Sequence, residues 1–86
     1  MQNRYDDIRS VIIIFPSQKQ EMRFNVGGEV GQSGIKVTAI VVNDIFLMDG
    51  GEPRVEVMAI NTKLEYPQEK VWKSYPFSWC SFEQNL

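Results

Sequence analysis

Apolar positions fall into short blocks along this chain, and the spacing inside each block decides what it predicts. Val11, Ile12, Ile13, Ile14 and Phe15 form an unbroken β-branched and aromatic run ended by Pro16. That run predicts a strand with apolar side chains on both pleat faces. Such a strand is either central in its sheet or an edge strand paired with another subunit, so the edge from Val11 to Phe15 is a candidate for homo-oligomer formation. Residues 22–26 alternate cleanly, with Met22, Phe24 and Val26 predicted inward and Arg23 and Asn25 outward. Residues 35–42, IKVTAIVV, predict a second strong strand, interrupted at Asn43-Asp44 and resumed over 45–48. Residues 54–61, RVEVMAIN, alternate again, placing Val55, Val57 and Ala59 on one face and Arg54 and Glu56 on the other. With Asp49-Gly50-Gly51-Glu52-Pro53 between them as a turn, 35–48 and 54–62 predict a hairpin.

Punctuation fills the gaps. Residues 1–10 are a polar lead-in, 16–21 a polar connection, and 27–34 a loop with four of the chain's six glycines. Residues 67–73, PQEKVWK, predict a single helical turn: Pro67 suits the first helical position, Glu69 and Lys73 are spaced i,i+4, and Tyr75-Pro76 stops it. A last strand over 77–82 and a short tail follow. If the run from Tyr75 is extended, Tyr75, Phe77 and Trp79 project from one face.

The succession of Val26-Gly27-Gly28-Glu29-Val30-Gly31, then Ile35-Lys36-Val37-Thr38-Ala39-Ile40, then the turn at 67–73 resembles generic SH3-like barrels, where a short helical turn commonly precedes the last strand. The resemblance implies an all-β fold, a small antiparallel barrel of about five strands, with an OB-like barrel as the nearest alternative. It is a likeness of fold and transfers no catalytic residue.

Length and composition narrow the classes. Eighty-six residues make a single domain over 1–86, and 43% hydrophobic content is that of a folded globule. Nine Lys and Arg against eleven Asp and Glu leave a net charge of −2, with both signs scattered. A general nucleic-acid binder clusters its cations, so nucleic acid is disfavoured as a partner. The 11–15 run falls far short of the ~20 residues a membrane helix needs. The acidic Asp6-Asp7 ahead of it argues against a signal peptide, so a soluble cytoplasmic protein with no membrane partner is expected.

Candidate chemistry is thin. No histidine is present, which removes His-based acid–base catalysis and the commonest zinc ligand. Cys80 is the single cysteine and reads as a small buried apolar residue. The carboxylate pairs Asp6/Asp7, Asp44/Asp49 and Glu52/Glu56 read as solvated surface charge; no metal or cofactor is expected. The loop carrying Gly27, Gly28, Gly31 and Gly34 offers an anion cradle on paper, but it matches neither phosphate-loop signature and a strand follows it.

Function competes most seriously in the aromatic stretch. Residues 66–82 hold Tyr66, Trp72, Tyr75, Phe77, Trp79 and Phe82, six of the ten aromatic residues. Such rings close a small core or form a face for a partner. The expectation is a non-enzymatic protein-binding module, an adaptor, subunit or inhibitor of a size that suits a phage or mobile-element accessory protein, binding through Trp72, Tyr75, Phe77 and Trp79. The alternative is a single-stranded nucleic-acid binder stacking bases on Phe24, Trp72, Tyr75 and Trp79, with Arg23, Lys36, Arg54, Lys70 and Lys73 on phosphates. A nucleotide-like ligand held by the glycine loop at a subunit junction is the third.

Overall fold

A computed structural model describes residues 8–44 and 50–84. Among the described residues the fold is all-β, with β1 (Ile8–Phe15), β2 (Gln20–Asn25), β3 (Ile35–Asn43), β4 (Arg54–Asn61), β5 (Lys70–Pro76), a 3-10 turn (Phe77–Trp79) and β6 (Cys80–Gln84). Two three-stranded antiparallel sheets result, ordered β2-β1-β6 and β3-β4-β5. They do not close into one barrel. The predicted resumption of a strand at 45–48, and Asp6, Asp7 and Asp49, lie outside the described residues.

The apolar run in β1 is central in its sheet. β2 pairs with one edge over Ser10 to Phe15 and β6 with the other as far as Ile13, so most of the Val11 to Phe15 run is paired within the chain. The strand is not covered on both faces: Val11 and Ile13 are fully buried, whereas Ile14 stands 46% exposed on the outer face. A continuous apolar run marks a strand without revealing how many of its faces are covered.

β1 turns into β2 through a tight connection in which the Gln18 and Lys19 amides both donate to the Phe15 carbonyl, at 3.2 and 2.9 Å. Lys19 closes it with φ of +52°. On β2, Met22 and Phe24 lie opposite Ile13 and Val11 and share their inward side. Phe24 is buried, but Met22 reaches only the rim and is exposed, against the expectation of a buried position.

At Gly27 the chain swings from β2 onto the edge of β3. The Gly27 amide donates to the Val37 carbonyl at 2.7 Å, and the Val37 amide returns a bond to Gly28 at 2.9 Å. Gly27 has φ of +90°, a conformation that side-chain-bearing residues rarely adopt. This corner joins the two sheets. The β3–β4 hairpin then forms as predicted, from Ile35 opposite Asn61 to Asn43 opposite Arg54, with one bulge between Val37 and Ala39. Val37, Ile40, Val55, Val57 and Ala59 from this hairpin are buried in the core.

The helical turn predicted at 67–73 is absent. From Lys70 the chain is strand, with Tyr75 opposite Val55 and Lys70 opposite Ala59. A lone helical turn is marginal in water, whereas Val71, Trp72 and Tyr75 favour a pleated surface against β4. Glu69 accepts a hydrogen bond from the Thr38 hydroxyl on β3. The helical turn that precedes the last strand falls at 77–79, inside the stretch predicted as strand. Tyr75, Phe77 and Trp79 therefore do not line one extended face.

Candidate functional site

The aromatic residues assemble into a chain of rings that crosses between the sheets. Trp79 meets Phe15 edge-on at 5.6 Å, and Phe15 meets Tyr75 at 5.9 Å. Tyr75 lies 6.0 Å from Phe24, which packs edge-on against Trp72 at 5.6 Å. Phe77 and Phe82 pack against each other at 5.6 Å. Spacings and tilts of this kind are favourable for aromatic pairs. Tyr75 and Phe24 are buried, so neither ring can stack a base or touch a partner. Trp72, Phe77 and Trp79 are half-buried, each with one part against the core and one part in solvent. The predicted binding set thus divides into three accessible rings and one supporting ring, Tyr75.

The connection from β4 to β5 and the start of β5 expose apolar side chains. Tyr66 is 79% exposed, and Leu64 and Val71 are also exposed. Leu64 is hidden by the polar residues of its turn, so no local signal marks it. Tyr66 sits in the aromatic stretch, yet exposure depends on which strands cover it. Lys73 places its Nζ 5.2 Å from the centre of the Trp72 ring, adding a cation–π contact and a positive charge at the rim.

The basic residues do not converge. Arg23, on β2, pairs with Glu83 at 2.9 Å. Arg54 on β4 is held by the Ser74 hydroxyl and carbonyl, at 3.1 and 3.0 Å. Lys36 lies on β3 and Lys70 and Lys73 on β5, opposite edges of one sheet. Phosphate tracking needs cations in a row, and of this set Lys73 is the one placed over a ring, that of Trp72.

The glycine loop spends its donors internally. The amides of Gly27, Gly28 and Val30 donate to Val37, Asn25 and Ile35. An anion cradle requires such amides to point together at a ligand. The cleft beside the loop, lined by Met22, Phe24, Gly28, Val30 and Val37, holds about 140 Å³, and small-molecule sites begin near ~300 Å³. Gly31 and Gly34 shape the connection to β3.

The thiol and the described carboxylates Glu52 and Glu56 each have partners within the fold. The Cys80 thiol lies half-buried, donating to the Pro76 carbonyl at 3.3 Å. Burial, and then the Glu52 carboxylate, push its pKa up to about 11, with Arg54 opposing. A thiol in that state is a poor nucleophile at neutral pH. Glu52 is engaged by the Ser78 amide and hydroxyl, and Glu56 by the Asn43 side chain. No group of three or more metal-ligating side chains occurs among the described residues.

Burial, followed by the charge at Cys80, also raises the Tyr75 pKa above its ordinary 10.0. Both groups hold their protons more tightly folded than unfolded. Their share of stability is therefore complete below pH 9 and is lost as pH rises toward about 11, where the Cys80 thiol ionises in the folded protein. The urea midpoint of the wild type should fall more steeply between pH 8 and 10.5 than that of Cys80→Ser. Parallel declines would show that the thiol contributes nothing to the alkaline limit.

No helix among the described residues is long and apolar enough to cross a membrane. No protein family, curated protein or solved structure matches this chain.

Proposed function

We propose that this chain is a non-enzymatic protein-binding module that engages its partner through β5 and the turns flanking it. One observation carries the proposal: Leu64 and Tyr66 in the connection to β5 and Val71 on β5 stand exposed, and the half-buried Trp72 ring of the same strand packs against buried Phe24. Exposed aromatic and aliphatic groups beside a ring held in one orientation are the kind of anchor that dominates interface energies, because little side-chain freedom remains to be lost on binding. Phe77 and Trp79, both half-buried, follow in the turn past the end of β5. A role as adaptor, subunit or inhibitor in the cytoplasm suits a small domain whose cations are scattered and whose cysteine is protonated. At the finer level of fold, we read the two sheets as an opened SH3-like barrel. The glycine corner between β2 and β3 and the 3-10 turn ahead of β6 support that reading.

Paired capture experiments from host lysate, with wild type and a Tyr66→Ala/Trp72→Ala variant as bait, test the proposal. Each anchor lost at an interface costs ~2 kcal/mol or more, so binding of the retained protein should weaken at least about tenfold per residue. Retention of the same protein with equal affinity would place the site elsewhere. Titration with a mixed single-stranded oligonucleotide separates the alternative: quenching of tryptophan fluorescence that weakens with added salt would favour nucleic acid.

A further inference from the structure

Among the described residues, two open sheets leave four edge strands, β2, β6, β3 and β5, and three of them carry devices that discourage pairing. β2 has Glu21 and Arg23. β5 has Lys70 and Lys73, and its ladder is broken by a bulge opposite Val57 and Met58. β6 is short and carries Glu83. Lysines, bulges and brevity are the usual protections of an exposed edge.

β3 differs along half its length. Its first part is covered, because Ile35 and Val37 bond to Val30, Gly27 and Gly28 of the glycine corner. Beyond the bulge at Val37/Ala39, residues 39–42 read Ala-Ile-Val-Val, with no charge, proline or glycine. Among the described residues no backbone group pairs with the outer edge of this segment. In a strand, every second residue turns its N–H and C=O away from the neighbour it is paired with, so that edge presents unpaired donors and acceptors.

We propose that the β3 edge between Ala39 and Val42 is a self-association surface, occupied by the same segment of a second copy in antiparallel pairing about a two-fold axis. The chemistry selects a copy of this chain. Antiparallel pairing of the segment with itself opposes only neutral β-branched and small side chains, so no like charges meet. The same operation on β5 would set Lys70 and Lys73 against themselves. The joined sheet runs β5-β4-β3-β3-β4-β5 across the axis. Ala39 and Met58, cross-strand neighbours on each copy, bring partly exposed apolar side chains up to the junction. The surface is distinct from the Tyr66–Trp72 region and does not depend on its function.

Sedimentation equilibrium of the full chain across the micromolar range tests the proposal. The wild type is expected to shift from monomer to dimer with concentration. Val41, 40% exposed on the outer face, can be replaced without disturbing the core. Val41→Lys should weaken the dimer at least tenfold, while Val71→Lys, on the far edge of the same sheet, should leave it intact. Amide exchange supplies a measurement free of substitutions: amides within 39–42 should gain protection as concentration rises. A wild type that remains monomeric with exchange at 39–42 independent of concentration overturns the proposal. So does a dimer that survives Val41→Lys, or one lost equally in both variants. A monomeric chain that gains protection at 39–42 only when a captured protein is added would assign the edge to an extended segment of that protein.

Discussion

Tyr75→Ala is expected to destabilise the fold by about 3–5 kcal/mol, as truncation of a buried aromatic side chain does. A small domain has only ~5–15 kcal/mol to lose, so much of the molecule's margin rests on this ring. The effect should be large because Tyr75 is 8% exposed and touches both Phe15 and Phe24, linking β5 to the two strands that face it. Tyr75→Phe is the control. Among the described residues the hydroxyl it removes has the Met22 sulfur, at 4.0 Å, as its partner, so stability should fall by less than ~1 kcal/mol, the scale of an ordinary hydrogen bond. Urea unfolding of the two variants decides it, and an alanine variant as stable as the phenylalanine one would mean that the ring chain is not a structural strut. Tyr75 is also unsuitable for probing partner binding, because its loss would disturb the orientations of Trp72 and Trp79 together.

Gly34→Ala should cost about 1–2 kcal/mol from its backbone alone, since φ of +80° lies in the left-handed region. A further loss comes from its surroundings. The new Cβ would approach Lys63 Cγ to 2.8 Å, pushing the lysine away from the Gln32 carbonyl it reaches at 3.5 Å. The Gly34 carbonyl also receives both the amide and the hydroxyl of Thr62, each at 2.8 Å, so the displaced backbone would loosen the tie between the glycine loop and the β4–β5 turn. Gly31→Ala isolates the conformational part: Gly31 has φ of +59° and nothing within 4 Å of an added Cβ. Thermal unfolding should rank the wild type above Gly31→Ala, and that variant above Gly34→Ala. Equal losses would show that the Thr62 and Lys63 contacts carry no weight.

The hairpin of β3 and β4 was legible because alternation in RVEVMAIN is a direct image of the pleat, with Val55, Val57 and Ala59 turned to the core. The turn at 67–73 misled for an equally physical reason. An i,i+4 Glu–Lys pair is worth only ~0.2–0.5 kcal/mol, less than the cross-strand packing and ladder bonds that β4 offers the same residues. The aromatic stretch was legible as a concentration of rings, and its division between support and surface was not. Tyr75 and Trp72 differ in what lies across the sheet from them, residues some fifty positions earlier in the chain, and no local pattern encodes that. Tyr66 is the converse case: its exposure follows from an uncovered turn that looks like any other polar connection. Strand type is a property of neighbours in sequence; edge, centre and face are properties of neighbours in space.

The topology separates the strands of one sheet widely in order of synthesis. β1 emerges from the ribosome first among the strands, but β6, which takes its second edge by pairing Ile8 with Gln84 and Ile13 with Cys80, emerges last. The β3-β4-β5 sheet is built from consecutive antiparallel strands and needs only local closures, so it can assemble while the other sheet still lacks a strand. During that interval the apolar run from Val11 to Phe15 has an unclaimed edge. A ribosome stalled ahead of Cys80 would hold it in that state, a nascent chain displaying an apolar strand that the finished molecule keeps at the centre of a sheet.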